Sequence, residues 1–136
     1  MTKPTPAIRK FMSVTPHSIG VDQTLAQAHA FLKKHQIRHL PVLSGGSLVG
    51  IVTERDLSLI EALGGVDSKR TKVDEVMTPA VYAVTPETPL DEVAATMGEK
   101  KYGSAVVMQN GKVVGIFTTV DVCRALAELL HSPLHA

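Results

Sequence analysis

Two segments of this sequence place a hydroxyl and a carboxylate three residues apart, directly after an apolar run: Gly50-Ile51-Val52-Thr53-Glu54-Arg55-Asp56 and Gly115-Ile116-Phe117-Thr118-Thr119-Val120-Asp121. Two kinds of chemistry suit that pattern. Thr-x-x-Asp ahead of an apolar run is a capping box, in which the Thr oxygen takes a free helix amide and the Asp complements the helix dipole. The same strand-to-helix junction also suits a nucleotide. Free amides at the positive end of a helix favour phosphate, and an acceptor-only carboxylate can take two hydrogen bonds from a ribose diol. The Gly that opens each segment leaves room for close approach of a ring or of backbone. Capping and ligand binding are compatible, and the sequence leaves open which groups remain free.

Other constellations carry less. His35 and His39 are four apart, as are His131 and His135, but Pro41 with a strand signal breaks the first pair and Pro133 lies inside the second. Neither pair is expected on a continuous helix, and no Cys or carboxylate cluster at ligand spacing completes a metal site. His29 reads as a helix-surface residue. Asp56 or Asp121 acting as a base beside a His would be a hydrolytic arrangement. However, there is no nucleophile elbow and no Walker-type phosphate loop, and a duplicated motif suits paired binding sites better than one reaction centre. No catalytic residue, metal or required cofactor is assigned, and the chain is not expected to be an enzyme. Cys123, the only cysteine, excludes an intrachain disulfide and reads as a small buried helix residue.

Composition narrows the classes further. Hydrophobic residues make up 44% of the 136 and charged residues 20%, the balance of a globular chain. With three Phe, two Tyr and no Trp, the core must be filled by aliphatic residues and Met. A net charge of +1 with both signs interspersed gives no footprint for nucleic acid or an anionic membrane. The stretch from Met1 to Phe11 lacks the apolar run of a signal peptide, and no run approaches the ~18 apolar residues of a membrane span, so a cytoplasmic location is expected.

The elements that must position the two Thr-x-x-Asp segments come from a duplication. Shifting the sequence by 65 positions lays Met12 on Met77, Leu25 on Leu90, Ala30 on Ala95, Val42 on Val107, Gly46 on Gly111, Val49-Gly50-Ile51 on Val114-Gly115-Ile116, Thr53 on Thr118 and Asp56 on Asp121, without a gap. Such self-similarity implies duplicated units, neither of which buries its apolar face alone. Each unit opens with a lead segment (Ile8 to Met12; Val73 to Met77) and a brief strand (near Ser18 to Val21; Val81 to Val84). A helix follows, capped by Thr24 with Gln27 or Thr88 with Asp91, with Pro89 suited to a first helical position. Leu25, Ala28 and Leu32, matched by Leu90, Val93 and Met97, recur at helical spacing and should face the core. A hairpin comes next: Leu40 to Leu43 and Leu48 to Thr53 around Gly45-Gly46, or Ser104 to Met108 and Lys112 to Thr118 around Asn110-Gly111. A second helix begins after the Thr. Its apolar residues Leu59, Ile60 and Leu63, with Leu126, Leu129 and Leu130, exceed what one small core needs and point to self-association. Gly64 to Lys72 reads as a linker. The expectation is a mixed α/β (α+β) fold of two β-α-β-β-α repeats, residues 8–66 and 73–131.

The Gly-Ile-x-Thr-x-x-Asp ending, the hairpin before it, the Ile37-Arg38-His39-Leu40-Pro41-Val42 segment and the duplication resemble paired CBS domains, the Bateman module. The resemblance covers roughly Ile8 to Leu130. It implies two repeats packed by their sheets around a pseudo-twofold axis, with two clefts for adenine nucleotides of the AMP, ADP and ATP class, or less often for NAD-type or S-adenosyl ligands. It assigns Pro16, His17, Ile37, Arg38, His39, Thr118 and Asp121 to one cleft, and Thr53, Arg55, Asp56, Val81, Tyr82, Tyr102, Gly103 and Ser104 to the other. The Asp would hold ribose hydroxyls and the Thr with nearby amides would hold phosphate or ribose, while apolar residues would sandwich adenine. Arg38 and His39 in the first cleft stand where the second has Gly103 and Ser104. Arg55 in the second stands where the first has Val120, so each cleft keeps one anion partner. Pro41 becomes Val106 in the second repeat, so the Pro of the family's strand start occurs once. The implied function is regulatory: a nucleotide-binding homodimer, shaped as a flat disc, that reports through its own oligomeric state or to a protein target the sequence does not name. The alternative is a dimerisation module with empty clefts.

Overall fold

The computed structural model describes residues 5–79 and 81–131. The elements are β1 (Ser13–Val14), β2 (Ile19–Gly20), α1 (Leu25–His35), β3 (His39–Ser44), β4 (Ser47–Thr53), α2 (Glu54–Leu63), β5 (Ala83–Val84), α3 (Leu90–Lys100), β6 (Ser104–Gln109), β7 (Lys112–Thr118) and α4 (Thr119–His131). The mixed α+β architecture is the expected one. The brief strand of each repeat is shorter than its apolar run, and the hairpin strands extend a residue further at one or both ends in three of four cases.

The elements group into two compact units. The first is His17–Val81. Its sheet has the order β2-β3-β4, with β2 parallel and β4 antiparallel to β3. Gly45 and Gly46 form the hairpin turn at φ +57° and +84°, the left-handed pair that matches the twist of the flanking strands. Helix α1 starts at a complete capping box. The Thr24 side chain accepts from the Gln27 amide at 3.2 Å and the Gln27 side chain accepts from the Thr24 amide at 2.8 Å. Leu25, Ala28 and Leu32 pack with Leu40, Val42, Val52 and Leu57, all buried. The 64–72 stretch is itself part of this unit. The carbonyls of Thr71 and Ser68 accept from the Leu25 and Ala26 amides at 2.9 and 2.8 Å, so the linker satisfies first-turn donors that no intrahelical partner can reach.

The second unit joins the described residues through Pro16 to those from Tyr82 onward. Its sheet runs β1-β7-β6-β5, and Val84, Leu90, Val93, Met97, Ala105, Val107 and Phe117 form its core. Helix α3 departs from expectation at its start. Pro89 is the N-cap rather than the first helical residue, and no side chain caps the helix. The Thr88 hydroxyl instead accepts from the Thr85 amide at 3.1 Å, and the Pro6 carbonyl accepts from the Leu90 amide at 2.8 Å. Cys123 also departs from expectation, being exposed. Position 123 lies on the solvent side of α4, whose inward positions are Asp121 and Ala125.

The lead segments are where the units cease to follow the repeats. Ile8, fully buried, lies in the core of the unit that contains the second repeat, and its amide donates to the Thr88 carbonyl at 2.8 Å. Val73, equally buried, completes the core of the unit that contains the first repeat, with its amide on the Gln23 carbonyl at 2.8 Å. Each lead segment then crosses a strand at glycine. A Cβ built on Gly115 would stand 2.6 Å from Met12 Sδ and 3.0 Å from the Ser13 carbonyl oxygen, and one on Gly50 would collide with Met77.

Gly115→Ala therefore forces Met12 and the backbone of β1 to move, and is expected to destabilise the protein by about 1 to 3 kcal/mol. Gly98→Ala, on exposed helix surface with nothing within 4 Å, is expected to stabilise it by about 0.5 to 1 kcal/mol. Urea unfolding of both variants measures the contrast.

Candidate functional site

The two Thr-x-x-Asp junctions share a backbone design. In the unit His17–Val81, Thr53 closes β4 and caps α2, its Oγ1 accepting from the Asp56 amide at 3.1 Å. Thr53 faces His39 across the β3–β4 ladder, and the Glu54 amide donates to the Arg38 carbonyl at 2.9 Å. The strand-start residues Arg38 and His39 are thereby held beside the junction of their own repeat. An opening of about 450 Å³ is lined by Arg38, His39, Thr53, Glu54, Arg55 and Ser58. A neighbouring one of about 480 Å³ shares Arg38 and Glu54 and adds Ile37 with residues of α1. Arg38 approaches Glu54 at only 3.8 Å with its side chain 83% exposed, a loose pair of little net strength that leaves the guanidinium available. Arg55 is exposed. Asp56 is half-buried, and its carboxylate has no bonding partner among the described residues.

In the other unit the Asp is differently placed. Asp121 is 3% exposed. Its Oδ2 accepts from the Thr118 amide at 2.9 Å and from the Thr118 hydroxyl at 3.2 Å. Its Oδ1 accepts from the Ser13 hydroxyl at 3.0 Å and lies 3.7 Å from Arg124 Nη1. The Thr118 oxygen accepts from the Asp121 amide at a long 3.5 Å, so the capping pair forms mainly through the carboxylate, and Ser13 and Arg124 add contacts beyond it. Ser104 faces Thr118 in the β6–β7 ladder. Tyr82 and Tyr102 stack with ring centroids 5.5 Å apart at 29°, next to exposed Gly103, around which no atom lies within 4 Å of a Cβ position.

The members of each set assigned from the sequence are divided between the units. Pro16, Thr118 and Asp121 belong to one, with Tyr82, Tyr102, Gly103 and Ser104. His17, Ile37, Arg38 and His39 belong to the other, with Thr53, Arg55, Asp56 and Val81. Within its unit, His17 lies against two α1 side chains that sequence reasoning passed over. Its ring stacks on His35 at 4.0 Å and 30°, and meets the edge of Phe31 at 5.4 Å. Ser13 and Arg124 were also missed. The 65-position register sets Ser13 against Thr78 and Arg124 against Leu59, which marks both positions as unlike between the repeats but not as neighbours of Asp121.

Of the histidine pairs, His35 ends α1 while His39 begins β3. His131 ends α4, and His135 and Pro133 lie outside the described residues. His29 sits on α1 with Nδ1 2.8 Å from Glu61 of α2. Among the described residues no three His, Cys, Asp or Glu side chains gather as a metal site, and no helix is long and apolar enough to cross a membrane.

Comparison with known proteins places the architecture. The CBS domain model matches residues 8–61 and 73–128, and the chain belongs to the CBS-domain family as a tandem pair. It is 33% identical over 91% of its length to L-aspartate semialdehyde sulfurtransferase of Methanocaldococcus jannaschii, of which it spans only 24%. It is 24% identical over 95% of its length to the CBS domain-containing protein YhcV of Bacillus subtilis, covering 99% of that protein. The solved CBS domain pair of protein MJ0100, in complex with 5'-methylthioadenosine and S-adenosyl-L-methionine, superposes with a TM-score of 0.76 at 28% identity, covering 92% of this chain and 98% of that one.

The surroundings of His35 lead to an expected pH dependence of stability. Burial, then the neighbouring His17 and Lys34, hold His35 below its ordinary value of 6.5. The unfolded chain thus binds a proton on His35 more readily than the folded one. Stability from this site is complete above pH 6.5 and is lost as the pH falls through the lowered folded value. Melting temperature is expected to drop between pH 7.5 and 5.5, and to drop less in His35→Gln. Equal pH slopes in the two proteins would remove the stack as the cause.

Proposed function

We propose that this chain is a regulatory CBS pair that binds an adenosine-containing ligand of the AMP, ADP and ATP class at its Thr-x-x-Asp chemistry and passes the signal through self-association or to a protein partner. The observation that carries this reading is the Thr53–Asp56 junction. A half-buried carboxylate without a bonding partner among the described residues follows a hydroxyl-capped helix start. Arg38, His39 and Arg55 stand beside that start at an opening of about 450 Å³. A carboxylate there can accept both hydroxyls of a ribose, and a guanidinium offers paired donors to phosphate. Support also comes from the MJ0100 domain pair, whose two bound molecules share an adenosine unit with the nucleotides proposed here. That same complex favours a second reading, in which the ligand is an S-adenosyl compound and the anion partners meet a carboxylate rather than phosphate. The sulfurtransferase relative lends no catalytic role, since the shared region is a quarter of its length.

Self-association rests on the exposed leucines: Leu59 and Leu63 on α2, and Leu126, Leu129 and Leu130 on α4, each at least 39% exposed. Exposed aliphatic residues at helical spacing on each of these helices mark interaction surfaces. Light scattering at low micromolar concentration is expected to give twice the 14.5 kDa monomer mass; a monomer would count against it.

A thermal-shift panel of AMP, ADP, ATP, NAD, S-adenosylmethionine and GTP tests the ligand reading. A ligand at 100 times its dissociation constant adds about 2.7 kcal/mol, a shift of several degrees at this chain length. At least one adenosine compound is expected to give that shift and GTP none. A panel without response would leave the dimerisation module with empty sites as the better account.

A further inference from the structure

The two junctions are copies in sequence, yet their carboxylates are not in equivalent surroundings. Around Asp121 both carboxylate oxygens are engaged: Ser13 at 3.0 Å on Oδ1, and Thr118 through amide and hydroxyl at 2.9 and 3.2 Å on Oδ2. Arg124 lies 3.7 Å from Oδ1, and the residue is 3% exposed. The register that lays one repeat on the other explains why Asp56 differs. Arg124 is replaced by Leu59, which has no charge to offer, and Ser13 by Thr78, an exposed residue whose side chain bonds to nothing among the described residues. The backbone differs in the same sense. Ser13 lies in β1, paired with β7 at Ser13–Ile116 and Val14–Gly115, whereas Thr78 makes a single bridge to Ile51.

We infer that duplication was followed by a division of labour. Asp121 is a structural clasp that ties the N-terminal strand β1 to the start of α4, and the ligand's ribose is taken at Asp56 alone. The second half rests on the ligand reading above; the first does not. A ribose diol at Asp121 would compete with the Ser13 and Thr118 hydroxyls already bonded to its two oxygens, exchanging internal bonds for equivalent ones. Asp56 has no such bonds to surrender, so the same ligand gains more there. The chain should accordingly bind one adenosine ligand, not two.

The test compares Ser13→Ala, Thr78→Ala, Asp121→Asn and Asp56→Asn in the full chain. Melting temperatures are read without ligand, and calorimetric titrations are made with AMP and with S-adenosylmethionine. Ser13→Ala and Asp121→Asn are expected to melt several degrees below the parent, whereas Thr78→Ala and Asp56→Asn should melt within about a degree or two of it. The parent should take up one ligand per chain. Ser13→Ala should bind within twofold of it, and Asp56→Asn at least tenfold more weakly. Equal melting shifts for Ser13→Ala and Thr78→Ala would overturn the clasp. Two ligands per chain, or an affinity loss in Asp121→Asn matching that in Asp56→Asn, would overturn the division. If neither probe binds the parent, the ligand reading fails by itself, and the Ser13 and Thr78 pair still decides the clasp. Should Asp121→Asn fail to fold, Ser13→Ala removes only one of the four contacts and keeps the comparison intact.

Discussion

Two crossings over glycine govern how this chain is put together: Met12 with Ser13 over Gly115, and Met77 with Thr78 over Gly50. At each crossing backbone and sulfur come closer to the strand than any side chain at that position would allow. The segments so admitted bring Ile8 and Val73 into fully buried positions. Each core therefore contains a residue that the chain supplies from outside the contiguous repeat, and neither repeat closes its core with its own residues. The same crossings set the carbonyls of Pro6 and of Ser68 and Thr71 against the first amides of α3 and α1, so helix starts, core closure and strand pairing all depend on one manoeuvre made twice.

What differs between the two halves is chemistry laid over that common frame. Ser13 arrives at Asp121 because β1 pairs with β7. Thr78 arrives at the corresponding place with only a bridge to Ile51. Tyr82 and Tyr102 form a stacked pair where the register has His17 and Ile37, and His17 turns to His35 and Phe31 instead. A duplicated backbone thus presents one junction whose carboxylate is bonded at both oxygens and one basic junction whose carboxylate has no bonding partner among the described residues. On the proposed reading the second is the better receptor for a ribose, because the Asp56 carboxylate can accept its hydroxyls without first releasing a bond among the described residues.

Much of the fold was legible in the sequence because the signals were local. The Gly45-Gly46 and Asn110-Gly111 turns, the Thr24–Gln27 box and the Leu25, Ala28, Leu32 stripe each follow from residues within one or two turns of each other. The α3 start was misread because Thr88 engages the Thr85 amide, and the Leu90 amide at the helix start is met by the Pro6 carbonyl. Cys123 was misread because burial frequency by residue type carries no information about the helix face. The exchange of lead segments was not legible at all: Ile8 and Val73 fit either core equally well by hydrophobicity, and only long-range backbone pairing distinguishes them. The chemistry of the junctions was half legible. The Thr-x-x-Asp spacing announced both caps, but Ser13 reaches Asp121 across 108 positions, a contact no spacing rule contains.

The central claim is that the Thr53–Asp56 junction is the adenosine-ligand receptor of this CBS pair. Amide chemical shifts followed by NMR during titration with AMP test it most directly, since they report each junction separately in the unaltered chain. The account predicts saturable shifts centred on Thr53, Glu54, Arg55 and Asp56, with the Thr118 to Asp121 amides unmoved. Saturable shifts centred on Thr118 to Asp121, or none at either junction, would contradict it.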